Sequence, residues 1–333
     1  MKKFLNDPVN FVNEMLEGIY RAHPEVTYVA DDKRCMVAAN RKPGKVGIAT
    51  GGGSGHLPLF LGYVGDGMLD GVAVGGVFQS PSAEQMYQVT KAIDQGAGVL
   101  YIYGNYTGDI INFDMAAELA DLDGIQVKQV VGNDDVASSV VGEEHKRRGV
   151  AGIFFVYKAA GAAAAEGASL DEVTRLADKA RLRTRTMGVA LSSCVVPEIG
   201  HATFSIGEDE MEIGMGIHGE PGISRKKLAP ADAVVDEMMD RIFAEQDYKS
   251  GDEVAVLING LGGTPLEELY ILFRRVSLLL EERGVKTRHV WIGEFATSME
   301  MAGASISILH LDAELDRLIG AAGNTPFFKH IPA

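Results

Sequence analysis

"KVGIATGGGSGHLP", residues 45–58, decides how the rest of the chain is read. Its first half is apolar and partly β-branched, so it reads as a strand. That strand runs straight into glycine: four of residues 51–55 are Gly, and only Ser54 and His56 carry polar side chains. Gly51 and Gly53 match the start of the dinucleotide pattern GxGxxG, but residue 56 is His where the third Gly belongs. No Gly-Lys-Ser/Thr follows, so the P-loop pattern fails as well. A tight strand-to-helix turn with positive φ accounts for one or two glycines, not for four. A run of exposed amides suits an oxygen-rich ligand, and ligand binding is the expectation here.

Outward from this stretch, strand-like and helix-like segments alternate. Asn6-Asp7-Pro8 reads as a helix start, with Val9, Val12, Leu16 and Ile19 on one face. Ser80-Pro81 reads as the cap and first turn of a helix through residue 95, and "GVLYIY" as a buried strand. "TMGVALSS", "EVAVLING", "TRHVWIG" and "SISILHL" continue the strands, with strong helices over 231–246 and 264–284. The Ala-rich segment 158–167 reads as a tightly packed helix. The expected fold is α/β: two α/β domains, with mixed or parallel sheets flanked by helices. The boundary is placed after the basic "KARLRTRT" helix end, giving 1–183 and 184–333.

The chain has 333 residues and a net charge of −15, which argues against binding a nucleic-acid backbone. Cys35 and Cys194 are far apart and lack CxxC spacing, as expected of reduced thiols rather than a disulfide or metal site. The N-terminus lacks the apolar core of a signal peptide, and "GIFFVYKAAGAAAA" is too short to span a bilayer. The expectation is a soluble cytoplasmic protein without a metal.

Two further stretches carry polar groups at strand ends. In "GNYTGD", 104–109, Asp109 follows an apolar strand, where α/β sheets bind ligands. It reads equally well as the N-cap of the helix that follows. In "MEIGMGIHGEPGI", 211–223, strict alternation puts Met211, Ile213, Met215 and Ile217 on one strand face. Glu212, Gly214, Gly216 and His218 fall on the other, so His218 stands on a face bared by glycine, suited to a base or nucleophile. His23, His145, His201, His289, His310 and His330 lack such surroundings. "LINGLGGTP", 257–265, reads as a turn and the next helix start.

With "GGGSGH", the Ser-Pro at 80–81, "NYTGD" and "GIHGEPGI" in this order, nearly the whole chain resembles the K subunit of dihydroxyacetone kinases. The resemblance implies a homodimer, each subunit with two α/β domains. It implies that a ring nitrogen of His218 adds to the ketone carbon of a short ketose, giving a covalent hemiaminal. Gly52 and Gly53 would contribute backbone contacts, Ser80 would line the pocket, and Asp109 and His56 would handle the proton of the phosphorylated hydroxyl. No cofactor is expected in this subunit. ATP, or ADP rephosphorylated by a phosphotransferase-system M subunit, is expected with Mg on a separate L subunit.

The chain departs from that pattern at three positions. Leu57 stands where Glu is usual, Gly76 where Glu is frequent, and Gly104 where Lys is common and expected to contact substrate. Their joint loss predicts a roomier, less polar pocket and a ketose such as erythrulose. A second reading is a non-catalytic ketose sensor acting on a transcription regulator; a retained Asp109 favours the enzyme. A nucleotide-dependent oxidoreductase fits poorly, because the fingerprint fails at residue 56.

Overall fold

In the computed structural model, which describes residues 2–332, two six-stranded mixed sheets are stacked with helices between and outside them. The first contains β1 (Val26–Val29), β2 (Asp32–Ala38), β3 (Gly47–Ser54), β4 (Gly71–Val77), β5 (Val99–Gly104) and β6 (Val127–Gly132). Their order is β1-β2-β4-β3-β5-β6; the last four are parallel, and the β1–β2 hairpin adds an antiparallel edge. The helices that accompany it are α1 (Phe11–Ala22), α2 (Ala83–Ile93), α3 (Thr107–Leu122), α4 (Ile153–Ala165) and α5 (Leu170–Leu182).

The second sheet starts at β7 (Thr184–Ala190) and adds β8 (Glu210–Ile213), β9 (Ser224–Lys227), β10 (Glu253–Gly260), β11 (Lys286–Glu294) and β12 (Gly303–His310). Its order is β11-β10-β12-β7-β8-β9, with β10–β11 the parallel pair. Helices α6 (Ala231–Glu245) and α7 (Leu266–Glu282) cover its outer face. The short α8 (Ala313–Ile319) returns to pack on α4, and Phe328, between β13 (Gly323–Asn324) and β14 (Lys329–His330), meets Phe154 of the same helix.

Alternation along the strands assigns residues to layers. Ile48, Val72, Val74, Leu100 and Ile102 face inward and meet α4, while Ala49, Ala73, Val99 and Tyr101 face α2 and α3. In the second sheet Ala255 and Leu257 join the central core, and Val254, Val256 and Ile258 pack under α6 and α7. Helix α4 lies between the sheets and is buried on every side, which explains its almost wholly apolar composition; its one charged residue, Lys158, donates to the Ala321 carbonyl at 2.8 Å. Gly161 is required there: a Cβ would lie 2.5 Å from two carbonyl oxygens, those of Gly67 and Met68.

Several local expectations are corrected. Val9 lies in a 3-10 turn ahead of α1 and is 71% exposed; only Val12, Leu16 and Ile19 are buried. Ser82, not Ser80, caps α2, in a capping box with Gln85. Asp109 is not a cap: Tyr106 holds that position, and Asp109 is buried in the first turn of α3. The strand expected through 211–218 stops at Ile213, because Gly214 turns to φ +80.

Candidate active site

The site lies where β3 and β5 of the first sheet meet the loop after β8 of the second. The glycines of β3 are explained by what presses on them. A Cβ on Gly51 would lie 2.7 Å from the Ala73 carbonyl oxygen, and one on Gly52 2.3 Å from the Phe60 ring. One on Gly53 would lie 2.7 Å from the backbone of Phe78 and Gln79. Gly51 to Ser54 are extended and buried, so the expected run of exposed amides is instead a packed strand. Only Gly55, at φ +100, serves the turn.

That turn delivers His56, which is 1% exposed. Its Nδ1 lies 2.7 Å from the Thr297 carbonyl oxygen. A carbonyl only accepts, so Nδ1 carries the proton and Nε2 is a bare lone pair, buried without a partner. Burial, with the charge of His218 adding to it, pushes the imidazole down to about 3. The Thr297 and Met299 amides donate back to the His56 and Gly55 carbonyls at 3.2 and 2.8 Å, tying the loop to the end of the second sheet. Phe78 stacks on His56 at 4.9 Å and Phe60 meets it edge-on at 6.0 Å. Phe60, Phe78 and Met299 all have left-handed φ, 68°, 59° and 55°. Such strain in side-chain-bearing residues gathers where a site is being shaped.

His218 faces His56 edge-on at 4.7 Å between ring centres and meets Tyr106 at the same distance. Its side chain is 23% exposed, so the ring is reachable. Nδ1 lies 3.0 Å from Glu220 Oε1, and the His218 amide donates to Glu220 Oε2 at 2.9 Å. Burial raises the Glu220 carboxyl, but the hydrogen bond and charge of His218, with Arg148 behind, outweigh it and hold the group down to about 2. Gly214 and Gly219 supply the positive φ that the loop needs, +80° and +81°.

Asp109 completes the cluster from the first turn of α3. It is 6% exposed, and its Oδ1 has no partner. Burial pushes its carboxyl up to about 6, against the opposing pulls of the Ser80 hydroxyl and His218. Because Ser82 caps α2, Ser80 is free to face Asp109. A Cβ on Gly108 would lie 2.7 Å from Ser80 Oγ.

The structure thus brings together His56, Asp109, His218 and Ser80, with Gly52 and Gly53 behind His56. The three departures behave differently from expectation. Leu57 borders a 460 Å³ cavity with Phe11, Met15 and Glu294, which reaches the His56 loop at Gly55, Thr297 and Met299. At Gly76 a Cβ would meet the Gln79 side chain at 2.7 Å, and at Gly104 the Tyr106 ring at 2.9 Å. At Gly76 and Gly104, then, neighbouring side chains stand in the space a longer residue would take, whereas Leu57 faces open space. Sequence reasoning did not single out Glu220, Thr297, Phe60, Phe78, Tyr106 or Arg148. Glu220 alone left a signal, two residues beyond His218.

The Dak1 domain family matches residues 17–327. The chain belongs to the Dak1 domain family. Among Dak1 relatives, it is 49% identical over 332 residues to the dihydroxyacetone-binding subunit DhaK of PTS-dependent dihydroxyacetone kinase 2 from Listeria innocua, covering 99% of each chain. It is 42% identical to the D-erythrulose kinase of Mycolicibacterium smegmatis, covering 99% of this chain but 57% of that protein. Among solved Dak1-like structures, the dihydroxyacetone kinase of C. freundii superposes with a TM-score of 0.91 at 32% identity, over 99% of this chain and 61% of that one. The dihydroxyacetone kinase operon co-activator Dha-DhaQ superposes with a TM-score of 0.90, also at 32% identity, over 96% and 98%. No helix among the described residues is long and apolar enough to cross a membrane.

Proposed function

We propose that this chain is the substrate-binding subunit of a ketose kinase. It holds a short ketose, dihydroxyacetone or erythrulose, on His218 and presents a terminal hydroxyl for phosphorylation. The observation that carries this reading is that both histidines commit Nδ1 to an acceptor of the protein. His56 Nδ1 is committed to the Thr297 carbonyl and His218 Nδ1 to the Glu220 carboxylate, so both rings offer Nε2.

In this reading the His218 Nε2 lone pair forms a bond to the ketone carbon. The C=O π pair moves to oxygen, which takes a proton from solvent, and the ring gives up its Nδ1 proton past Glu220 to solvent. The product is a neutral hemiaminal. Polyols lack the carbonyl and are excluded by reactivity rather than by fit. Asp109, with its free Oδ1, takes the proton of the terminal hydroxyl, and His56 Nε2 accepts a hydrogen bond that orients it. Anchoring the acceptor supports in-line transfer. The phosphoryl donor, ATP or ADP with Mg, belongs on a separate L subunit, with or without a phosphotransferase-system M subunit. The subunit itself works as a cytoplasmic homodimer.

The test is a kinase assay of a ketose panel with the cognate L subunit, paired with a crystal structure of the ketose complex. Phosphorylation of a short ketose and continuous density from His218 Nε2 to the ligand are expected. Ligand density unattached to His218 would overturn the covalent step. The likeness to a co-activator supports one alternative, a sensor that binds ketose without turnover. The buried Asp109 favours the enzyme, and a binding-competent protein inactive with every L subunit would favour the sensor.

A further inference from the structure

We infer that Glu220 is the positioning residue that selects which ring nitrogen of His218 reacts, and that Gly216 and the Arg148–Asp135 pair exist in the fold to hold it. The inference deepens the proposed function and rests on its assignment of His218 as the nucleophile.

Glu220 grips His218 at two points with two oxygens: Oε1 takes the ring Nδ1–H at 3.0 Å, and Oε2 takes the main-chain N–H at 2.9 Å. A carboxylate bonded to both the ring and the backbone of one residue fixes the ring's tautomer and its rotation together. With Nδ1 occupied, Nε2 is the nitrogen left for the ligand. The carboxylate also stabilises the positive charge that the ring gains when Nε2 bonds to carbon.

The surroundings are built to keep it there. A Cβ on Gly216 would lie 2.1 Å from Glu220 Oε2 and 2.6 Å from Arg148 Nη1, so residue 216 is bare because the carboxylate folds back across it. This gives the glycine-stripped face around His218 a different purpose: the space belongs to Glu220, not to the ligand. Arg148 stands 4.0 Å from Glu220 Oε2. Its own position is set by Asp135 Oδ2 at 2.8 Å and by the Gly214 carbonyl at 2.9 Å. Asp135 pairs with Thr186 of β7 in an isolated bridge, and its Oδ1 accepts from the Ala137 amide. The chain of contacts therefore runs from the segment after β6 to the loop that carries His218.

The experiment compares wild type, Glu220→Ala and Glu220→Gln. Nitrogen-15 NMR of the ketose-free protein reads the His218 tautomer directly. Wild type is expected to carry the proton on Nδ1. Glu220→Ala is expected to shift protonation toward Nε2 and to slow adduct formation and turnover by about 10- to 100-fold. Glu220→Gln keeps an oxygen acceptor but loses the charge, so it is expected to restore the Nδ1–H tautomer and recover only part of the rate. A merely structural role would lower thermal stability in both variants without moving the tautomer. An unchanged tautomer and adduct rate in Glu220→Ala would overturn the inference. Absence of an adduct in wild type would instead overturn the covalent reading, and the ketose-free spectra would still decide the role of Glu220.

Discussion

Two glycine-rich stretches each carry a histidine into this site, and they do so for opposite reasons. Around His56 the glycines are there because neighbours press in: the Phe60 ring, the Ala73 carbonyl and the Phe78 backbone occupy the space a Cβ would need. Around His218 they are there to let the backbone turn, at Gly214 and Gly219, and to let a carboxylate fold back, at Gly216. The outcome differs accordingly. His56 is dry, fixed by a neutral carbonyl, and held neutral by burial; His218 is reachable and backed by a charge. Bare backbone beside a histidine therefore has no single meaning. What fills the space decides it.

The comparison breaks first at the carboxylate that completes the site beside the two histidines, Asp109. Asp109→Asn should lower turnover by about 10²- to 10⁴-fold while leaving ketose binding intact, as read by kinetics with the L subunit and by calorimetry. Unchanged turnover would remove its role as base. The same substitution should stabilise the fold. The folded carboxyl is raised to about 6, so the native state holds its proton more tightly than the unfolded chain does. Stability is then lost as pH rises from the unfolded value toward 6, and at pH 7 the charged form costs about 3 kcal/mol. Denaturant melts at pH 7 should show the gain for Asn. The wild-type kcat/KM should fall about tenfold per pH unit below 6 as Asp109 takes up its proton. His56, held down near 3, does not titrate in that window; a flat profile down to pH 5 would reassign the base.

Alanine at a glycine of each stretch sharpens the contrast. Gly52→Ala wedges a methyl into the Phe60 ring and should cost about 1–3 kcal/mol of stability. Gly216→Ala displaces Glu220 and should cost about tenfold in turnover with a smaller change in melting. If both act on stability alone, the two stretches do not differ as described. The smallest effect is expected at Leu57, which borders the neighbouring cavity rather than the histidines. Leu57→Glu should leave the ketose KM within about twofold.

Much of this was legible in the sequence because it depends on local pattern. The β/α alternation, the buried strands such as "GVLYIY" and the buried Ala-rich helix follow from apolar periodicity and length. His56, Asp109 and His218 could be singled out because each sits beside glycine or at a strand exit; Ser80 entered the pocket only through the family resemblance. The errors came where a short-range rule met a long-range contact. Ser80-Pro81 satisfies the rule for a helix start, yet Ser82 makes the cap and Ser80 turns to Asp109. The alternation at 211–218 satisfies the strand rule, yet the chain turns at Gly214 to bring Glu220 under His218.

The sequence by itself determined which elements form and which side chains carry chemistry, because helix and strand periods and residue types are properties of neighbours along the chain. Only the tertiary structure decided the protonation of that chemistry. Thr297, 241 residues after His56, sets the tautomer of the first histidine, and burial sets the acidity of Asp109. A tautomer and a shifted pKa belong to whatever stands beside a group in space, and the fold alone assigns that neighbour.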